Sequence, residues 1–219
     1  MTFMIRLLAS AALLSTVAAP ATAALTTFTN RAAFNLAAGM TTTETFNSFT
    51  SEISFRTTPL TVGGFSLAGF GTQFDRNFID IPPPQFSVFN IDGTTNVNAA
   101  TTGDGGLTFS FAAPITSFGA DFGAFQDDVI RSFITAGGIT LTPPVQSGNT
   151  VSFFGFTSDT AFSTVRFSGS NNSDGFSIDN VSYGLTAPVP EPATWLMMLM
   201  GFGLVGGMMR RRTLVRVAA

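Results

Sequence analysis

The chain has 219 residues, 45% of them hydrophobic, with 13 acidic side chains against 10 basic ones and a formal net charge of −3. Histidine, cysteine and lysine are absent, which excludes Ser-His-Asp catalysis, cysteine nucleophiles, lysine Schiff bases, disulfides and thiolate or imidazole zinc sites. Residues 24–189 hold five arginines and twelve acidic residues, and this balance argues against a nucleic-acid partner because phosphate binding needs a basic patch.

Residues 1–23 have the three parts of a cleavable signal peptide. Arg6 supplies a positive charge, an apolar run follows, and Ala21 and Ala23 are the small residues of a cleavage site. The apolar run is short for a membrane span, so a cleaved leader is favoured over an N-terminal membrane anchor. The mature chain would then begin one residue after Ala23.

One short helix is predicted near the start of the remaining chain. Asn30 is a suitable N-cap, residues 31–38 follow, and Gly39 ends the helix. The face of this helix that should meet the core carries Phe34, Ala37 and Ala38.

The rest of the domain, to residue 187, has the pattern of short strands separated by clusters of Gly, Pro, Asn and Asp. Apolar and polar residues alternate, as expected when one face of each strand is buried. Many short strands of this kind predict an antiparallel β-sandwich over residues 24–187, with most phenylalanines in its core. The clearest alternating stretches are Ile53–Phe55, Leu107–Phe111, Phe118–Phe122, Val165–Ser168 and Phe176–Ile178.

The last strand, residues 174–183, changes the face that carries its apolar side chains between Ile178 and Val181. Because side chains alternate strictly along a regular strand, this change predicts a β-bulge near Asp179 and Asn180. In the structural interpretation, Asp179 simply accepts hydrogen bonds from neighbouring backbone N–H groups. A second interpretation, a metal site, depends on a resemblance given below.

The C-terminal tail, residues 188–212, combines a proline motif, an apolar stretch and a positive end. Pro190 and Pro192, with Glu191 between them, keep the motif extended and outside any helix or sheet. The apolar stretch, about residues 194–209, contains Trp195 at the position of the lipid headgroups. It is close to the lower limit of about 17 residues for a transmembrane helix. A cluster of three arginines, Arg210, Arg211 and Arg212, would stop transfer across the membrane. This cluster and residues 213–219 after it would stay in the cytoplasm.

The string VPEPATWLMMLMGFGLVGGMMRRR, residues 189–212, resembles the PEP-CTERM sorting domain of Gram-negative bacteria in its PEPxxWA variant. Leu196 stands where that variant commonly has alanine. The tail is also called the ice-binding protein C-terminal domain, a historical name that does not indicate ice binding. The resemblance implies that an exosortase recognises Pro190, Glu191 and Pro192 and cleaves near them. The protein would pass through the inner membrane to the outer envelope or the exterior. Hydropathy alone would also allow a plain C-terminal membrane anchor.

The string GFSIDNVSYG, residues 175–184, resembles the closing strand of jelly-roll domains in proteins with this tail and of lectin-like carbohydrate-binding sandwiches. In such sandwiches an acidic residue near the first strand and one in the last strand often share a structural calcium ion. The resemblance therefore implies that Glu44 and Asp179 bind one calcium ion through their carboxylates. No other cofactor is expected.

The leading functional hypothesis is a non-enzymatic protein of the cell envelope or extracellular matrix. Proteins with this tail are associated with exopolysaccharide production, so the resemblance implies a surface or biofilm role. A carbohydrate-binding module is the alternative, although Tyr183 is the only Tyr or Trp of the domain. A third hypothesis, a hydrolase that uses two carboxylates, is disfavoured. The only adjacent acidic pair in the sequence is Asp127 and Asp128, and neighbouring residues on a strand point to opposite faces of the sheet.

Overall fold

The computed structural model describes residues 24–71, 76–83, 89–125, 132–145, 150–169, 174–184 and 197–207. Several sequence predictions lie outside these residues. They concern the leader with Ala21 and Ala23, the acidic pair Asp127 and Asp128, the motif residues Pro190, Glu191, Pro192 and Trp195, and the cluster Arg210, Arg211 and Arg212.

The N-terminal helix α1, Arg31–Ala38, has the predicted bounds and follows strand β1, Leu25–Phe28. The Asn30 side chain accepts a hydrogen bond from the backbone N–H of Ala33 at 3.0 Å, which satisfies one of the free donors of the first turn. Phe34 and Ala38 are buried as expected, whereas Ala37 is exposed. The helix therefore buries only these two side chains, which lie one turn apart, and not a broad face.

The remainder of the domain is mainly β and entirely antiparallel, which confirms the predicted class. The twelve strands in the described residues all belong to one sheet, and its main path runs β10-β9-β11-β8-β12-β7-β6-β3. The strands after α1 are β2 Thr42–Glu44, β3 Ile53–Ser54, β4 Leu60–Val62, β5 Phe65–Phe70, β6 Phe78–Asp80, β7 Asn96–Thr101, β8 Gly106–Gly123, β9 Ser132–Ala136, β10 Ile139–Leu141, β11 Val151–Gly169 and β12 Asp174–Gly184.

The two longest strands, β8 and β11, fold this sheet over on itself. Each has buried residues on both sides of three consecutive exposed residues, 112–114 in β8 and 159–161 in β11. The rings of Phe109 and Phe118, both on β8, are only 5.5 Å apart. A straight strand would separate these two residues by roughly 30 Å. The core therefore lies between two halves of a continuous sheet, and not between two sheets that share no strand.

Phenylalanine fills this core, as the alternating pattern predicts. Strands from both halves contribute rings that are fully or almost fully buried, and aliphatic side chains such as Val97 and Ile178 fill the space between them. The rings of this core that are exposed by no more than 2% are those of Phe46, Phe55, Phe65, Phe109, Phe118, Phe122, Phe125, Phe156, Phe167 and Phe176.

Helix α1 packs on the outer side of the sheet over a pair of glycines. Gly119 of β8 and Gly155 of β11 lie directly opposite each other. A Cβ atom on either glycine would come within 3.1 Å of the Phe34 ring. The absence of side chains at these two glycines thus leaves space for the Phe34 ring, which anchors the helix on the sheet. In this position of the helix, Arg31 lies next to β12.

A second helix, α2, spans residues 197–207, inside the stretch predicted to cross the membrane. Its large apolar side chains are exposed. Neither helix in the described part of the chain has the length and apolarity required to cross a bilayer. The predicted span, about 194–209, extends at both ends into residues outside the description.

Candidate functional site

The predicted bulge in β12 is present. The pairing of β12 with β8 shifts between Asp179 and Ser182, and Asn180 has a φ of 52°. Ile178 before the bulge and Val181 after it both point into the core. The extra residue consequently leaves Asp179 on the outer face of the sheet, the face on which α1 lies.

Asp179 is fully buried although it lies on that outer face. Its Oδ1 accepts a hydrogen bond from the backbone N–H of Asn180 at 2.6 Å, and its Oδ2 accepts one from the Thr94 hydroxyl at 3.3 Å. Burial, reinforced by the charges of Asp92 and Asp121, raises the pKa of Asp179 to about 7 against the opposing effect of these hydrogen bonds. Asp179 therefore accepts a hydrogen bond from a neighbouring backbone N–H group, as the structural interpretation predicts. Its negative charge, however, is poorly compensated.

Arg31 connects helix α1 to the bulge. Its guanidinium forms an ion pair with Asp121 at 2.9 Å and donates hydrogen bonds to the Ser182 hydroxyl at 2.9 Å and the Asn180 carbonyl at 3.0 Å. The same group lies 4.6 Å from the centre of the Phe153 ring. Its positive charge is thus directed at Asp121 and not at Asp179.

Glu44 occupies a different environment. It pairs with Val181 across β2 and β12, and directly opposed residues share a face of the sheet. Its Oε1 accepts a hydrogen bond from the backbone N–H of Phe46 at 2.8 Å, and its Oε2 lies against Gly63. Because the bulge puts Asp179 on the other face, the structure does not bring together the two expected calcium ligands, Glu44 and Asp179. No calcium chemistry follows from that pair.

A row of polar side chains crosses four strands on the outer face. Asp80 of β6 is opposite Asn96 of β7, and Asp179 of β12 is opposite Asp121 of β8. The pairing of Ile178 with Val97, continued by one residue, places Asp179 beside Asn96. Sequence reasoning missed this row because it depends on which strands are neighbours; the only local signal was asparagine on both sides of Val97.

The segment 89–95 covers this row. The Asn96 amide donates a hydrogen bond to the Phe89 carbonyl at 3.3 Å, and Thr94 reaches Asp179 as described above. Arg76 lies over the Phe89 ring at 4.5 Å. As a result Asp80, Asn96 and Asp179 are each no more than 1% exposed. Within the described residues, no three acidic side chains converge in a way that could hold a metal ion by themselves.

An open groove follows the edge between α1, β2 and β12. It consists of two adjoining hollows of about 670 Å³ and 340 Å³ that share Asn35 and Thr41. Hydrogen-bonding side chains line it, including Arg31, Thr43 and Asn180. The groove offers polar contacts, while the Tyr183 ring packs edge-on against Phe65 instead of lying flat on the surface.

Residues 188–212 match the family model of the PEP-CTERM protein-sorting motif. The chain carries a PEP-CTERM sorting motif. This finding confirms the resemblance, and it marks the chain as an exported protein that an exosortase sorts toward the envelope. In this PEP-CTERM protein the motif begins shortly after β12, which ends at Gly184, so the tail follows the strand that carries the bulge.

Other comparisons add little to the PEP-CTERM match. The curated protein sequences contain no match to the chain. Among solved structures, the enzymatically active domain of tailspike protein 4 from bacteriophage CBA120 is similar, with 20% sequence identity and a TM-score of 0.33. That likeness covers 57% of this chain and 20% of the tailspike chain. At this level it carries no argument about fold or activity.

Proposed function

We propose that this chain is a non-enzymatic protein of the outer envelope or extracellular matrix. A leader exports it, its tail holds it in the inner membrane for a time, and an exosortase processes it at Pro190, Glu191 and Pro192. The observation that carries the proposal is the PEP-CTERM match at residues 188–212. The delivered cargo is the domain of antiparallel strands, for which we propose a jelly-roll, lectin-like architecture.

Composition supports the non-enzymatic part of this proposal. Histidine, cysteine and lysine are absent, so catalysis would have to rely on carboxylates and hydroxyls without the most common general base and without a thiol or amine nucleophile. Among the described residues, the carboxyl whose pKa is raised most, that of Asp179, is fully buried and contacts the covering residue Thr94. A buried carboxyl in such a position has no access to a bulk substrate. We also propose a role beside exopolysaccharide in a biofilm matrix, because proteins with this tail are associated with exopolysaccharide production.

Replacing Pro190, Glu191 and Pro192 together by alanine should block processing. We expect the variant to accumulate at full length in the inner-membrane fraction, measured by immunoblotting of separated membranes, because the exosortase no longer recognises the tail. Leu196→Ala is the matched control, since it alters the same tail but introduces the residue common in this variant of the motif; its distribution should equal that of the wild type. A triple variant that distributes like the wild type would leave a plain C-terminal anchor as the better description.

Carbohydrate binding in the polar groove is a second candidate function. The observation that favours it is the cluster of donors and acceptors around Asn35, Thr41 and Asn180, which suits sugar hydroxyls. On a glycan array, saturable binding that Asn35→Ala abolishes would support this candidate. Leu36→Ala is the control, because Leu36 is the next residue of α1, is exposed and lies outside the groove lining. Equal binding by both variants would exclude the groove.

A further inference from the structure

Two buried oxygen atoms of the domain have no hydrogen-bond partner in the described structure. They are Oδ1 of Asp80 and Oδ1 of Asn96, and each residue is only 1% exposed. Buried acceptors are almost always satisfied in folded proteins, and an unsatisfied one is costly. Two such atoms therefore call for a ligand that supplies positive charge or a donor.

The two atoms belong to neighbouring side chains. Asp80 and Asn96 are directly opposite each other on β6 and β7, so both project from the same face. The second polar atom of each is already engaged: Asp80 Oδ2 accepts from the Asn98 amide at 3.3 Å, and the Asn96 amide nitrogen donates to the Phe89 carbonyl at 3.3 Å. What is left over is one carboxylate oxygen beside one amide oxygen.

Negative charge accumulates around this pair. Asp179 follows Asn96 in the same row, and the positive charge of Arg31 is taken up by Asp121 on the far side of Asp179. Arg76 is attracted by Asp80, but its guanidinium donates to Asn98 Oδ1 at 3.0 Å and lies over Phe89. The row thus holds two buried carboxylates, Asp80 and Asp179, with Arg31 directed at Asp121 at one end and Arg76 attracted by Asp80 at the other.

We propose that the side-chain oxygens of Asp80 and Asn96, with Asp179 beside them, bind a calcium ion under the segment 89–95. Carboxylate, amide and carbonyl oxygens are the donors that calcium prefers, and calcium tolerates the irregular arrangement that such a mixed set provides. Magnesium demands a near-ideal octahedron and keeps its water, for which a covered site is poorly suited. The ion would tie β6, β7 and β12 to the segment above them. Glu44 has no part in this site.

Thermal unfolding of the purified full-length chain in detergent tests the proposal. With calcium at about 100 times its Kd, we expect the Tm to rise by about 5–10 °C over the value in EGTA, with a smaller rise in magnesium. Asp80→Asn should abolish the calcium shift. Asn96→Asp should enlarge it and lower the Tm in EGTA, because it adds a third buried carboxylate. Glu44→Gln, on β2 and on the opposite face of the sheet, should keep the full shift.

Equilibrium dialysis against calcium measures binding directly, and its result for the wild-type chain does not depend on whether a variant folds. Saturable binding of one ion per chain, tighter in Asn96→Asp, would support the site. The proposal is overturned by any of three results: no saturable calcium binding by the wild type, equal binding by Asn96→Asp, or loss of the Tm shift in Glu44→Gln with retention in Asp80→Asn.

Discussion

Phe167→Ala should lower the free energy of unfolding by about 3–5 kcal/mol, a large part of the about 5–15 kcal/mol that a domain of this kind possesses. Phe167 lies on the second half of β11 and is fully buried. Five rings surround it at centroid distances between 5.7 and 6.2 Å, namely those of Phe109, Phe118, Phe122, Phe125 and Phe176. Truncation would leave a cavity at the point where the two halves of the sheet meet.

Two control variants isolate this effect in urea unfolding curves. Phe167→Leu keeps most of the volume and should cost clearly less than Phe167→Ala. Leu36→Ala removes an apolar side chain that is 87% exposed and should change the free energy of unfolding by no more than about 0.5 kcal/mol. If Phe167→Ala unfolded at the same urea concentration as Leu36→Ala, the ring would not belong to a packed core.

Gly106→Ala should cost about 3 kcal/mol, at the upper end of the range for overpacking. Gly106 begins β8 and pairs with Ser168 of β11. A Cβ atom there would lie 2.0 Å from the backbone oxygen of Phe167. A flexible side chain can move away from such a clash, but this oxygen belongs to the neighbouring strand, so relief requires the two strands to separate.

Gly175→Ala is the matched control for this prediction, measured by the same urea unfolding curves. Gly175 is also a strand glycine, paired with Ala100, but a Cβ atom there would meet its nearest neighbour, the Phe89 ring, at an ordinary 3.6 Å. We expect little change in stability or a slight gain, because alanine reduces the conformational entropy of the unfolded chain. Equal destabilisation by the two substitutions would contradict the assigned pairing of β8 with β11.

Local signals predicted some features closely. Asn30 and Gly39 determine the ends of α1 through backbone hydrogen bonds and conformation at the helix termini, so the sequence contains what is needed. The bulge near Asp179 could equally be predicted from the sequence, because apolar side chains that change from one face of a strand to the other require an extra residue. Burial of Ala37 was expected but does not occur, since the width of the buried stripe depends on what the helix packs against.

Features that depend on strand neighbours could not be predicted in this way. Residues 112–114 are exposed and include Pro114, a pattern that suggests the end of a strand. In the structure, β8 instead continues through these residues and bends there. The row through Asp80, Asn96 and Asp179 arises from pairings among β6, β7 and β12. No periodicity within one strand reveals such a row. For the same reason, Glu44 and Asp179 seemed suitable partners although they lie on opposite faces.

The central claim is that an exosortase processes this PEP-CTERM protein at its tail. Intact-mass analysis of the protein recovered from wild-type cells and from cells lacking the exosortase tests it most directly. We predict a C-terminus shortened near Pro190, Glu191 and Pro192 in wild-type cells only, with the whole tail through Arg212 present in the deficient cells. Recovery of the complete tail from both kinds of cell would contradict the claim.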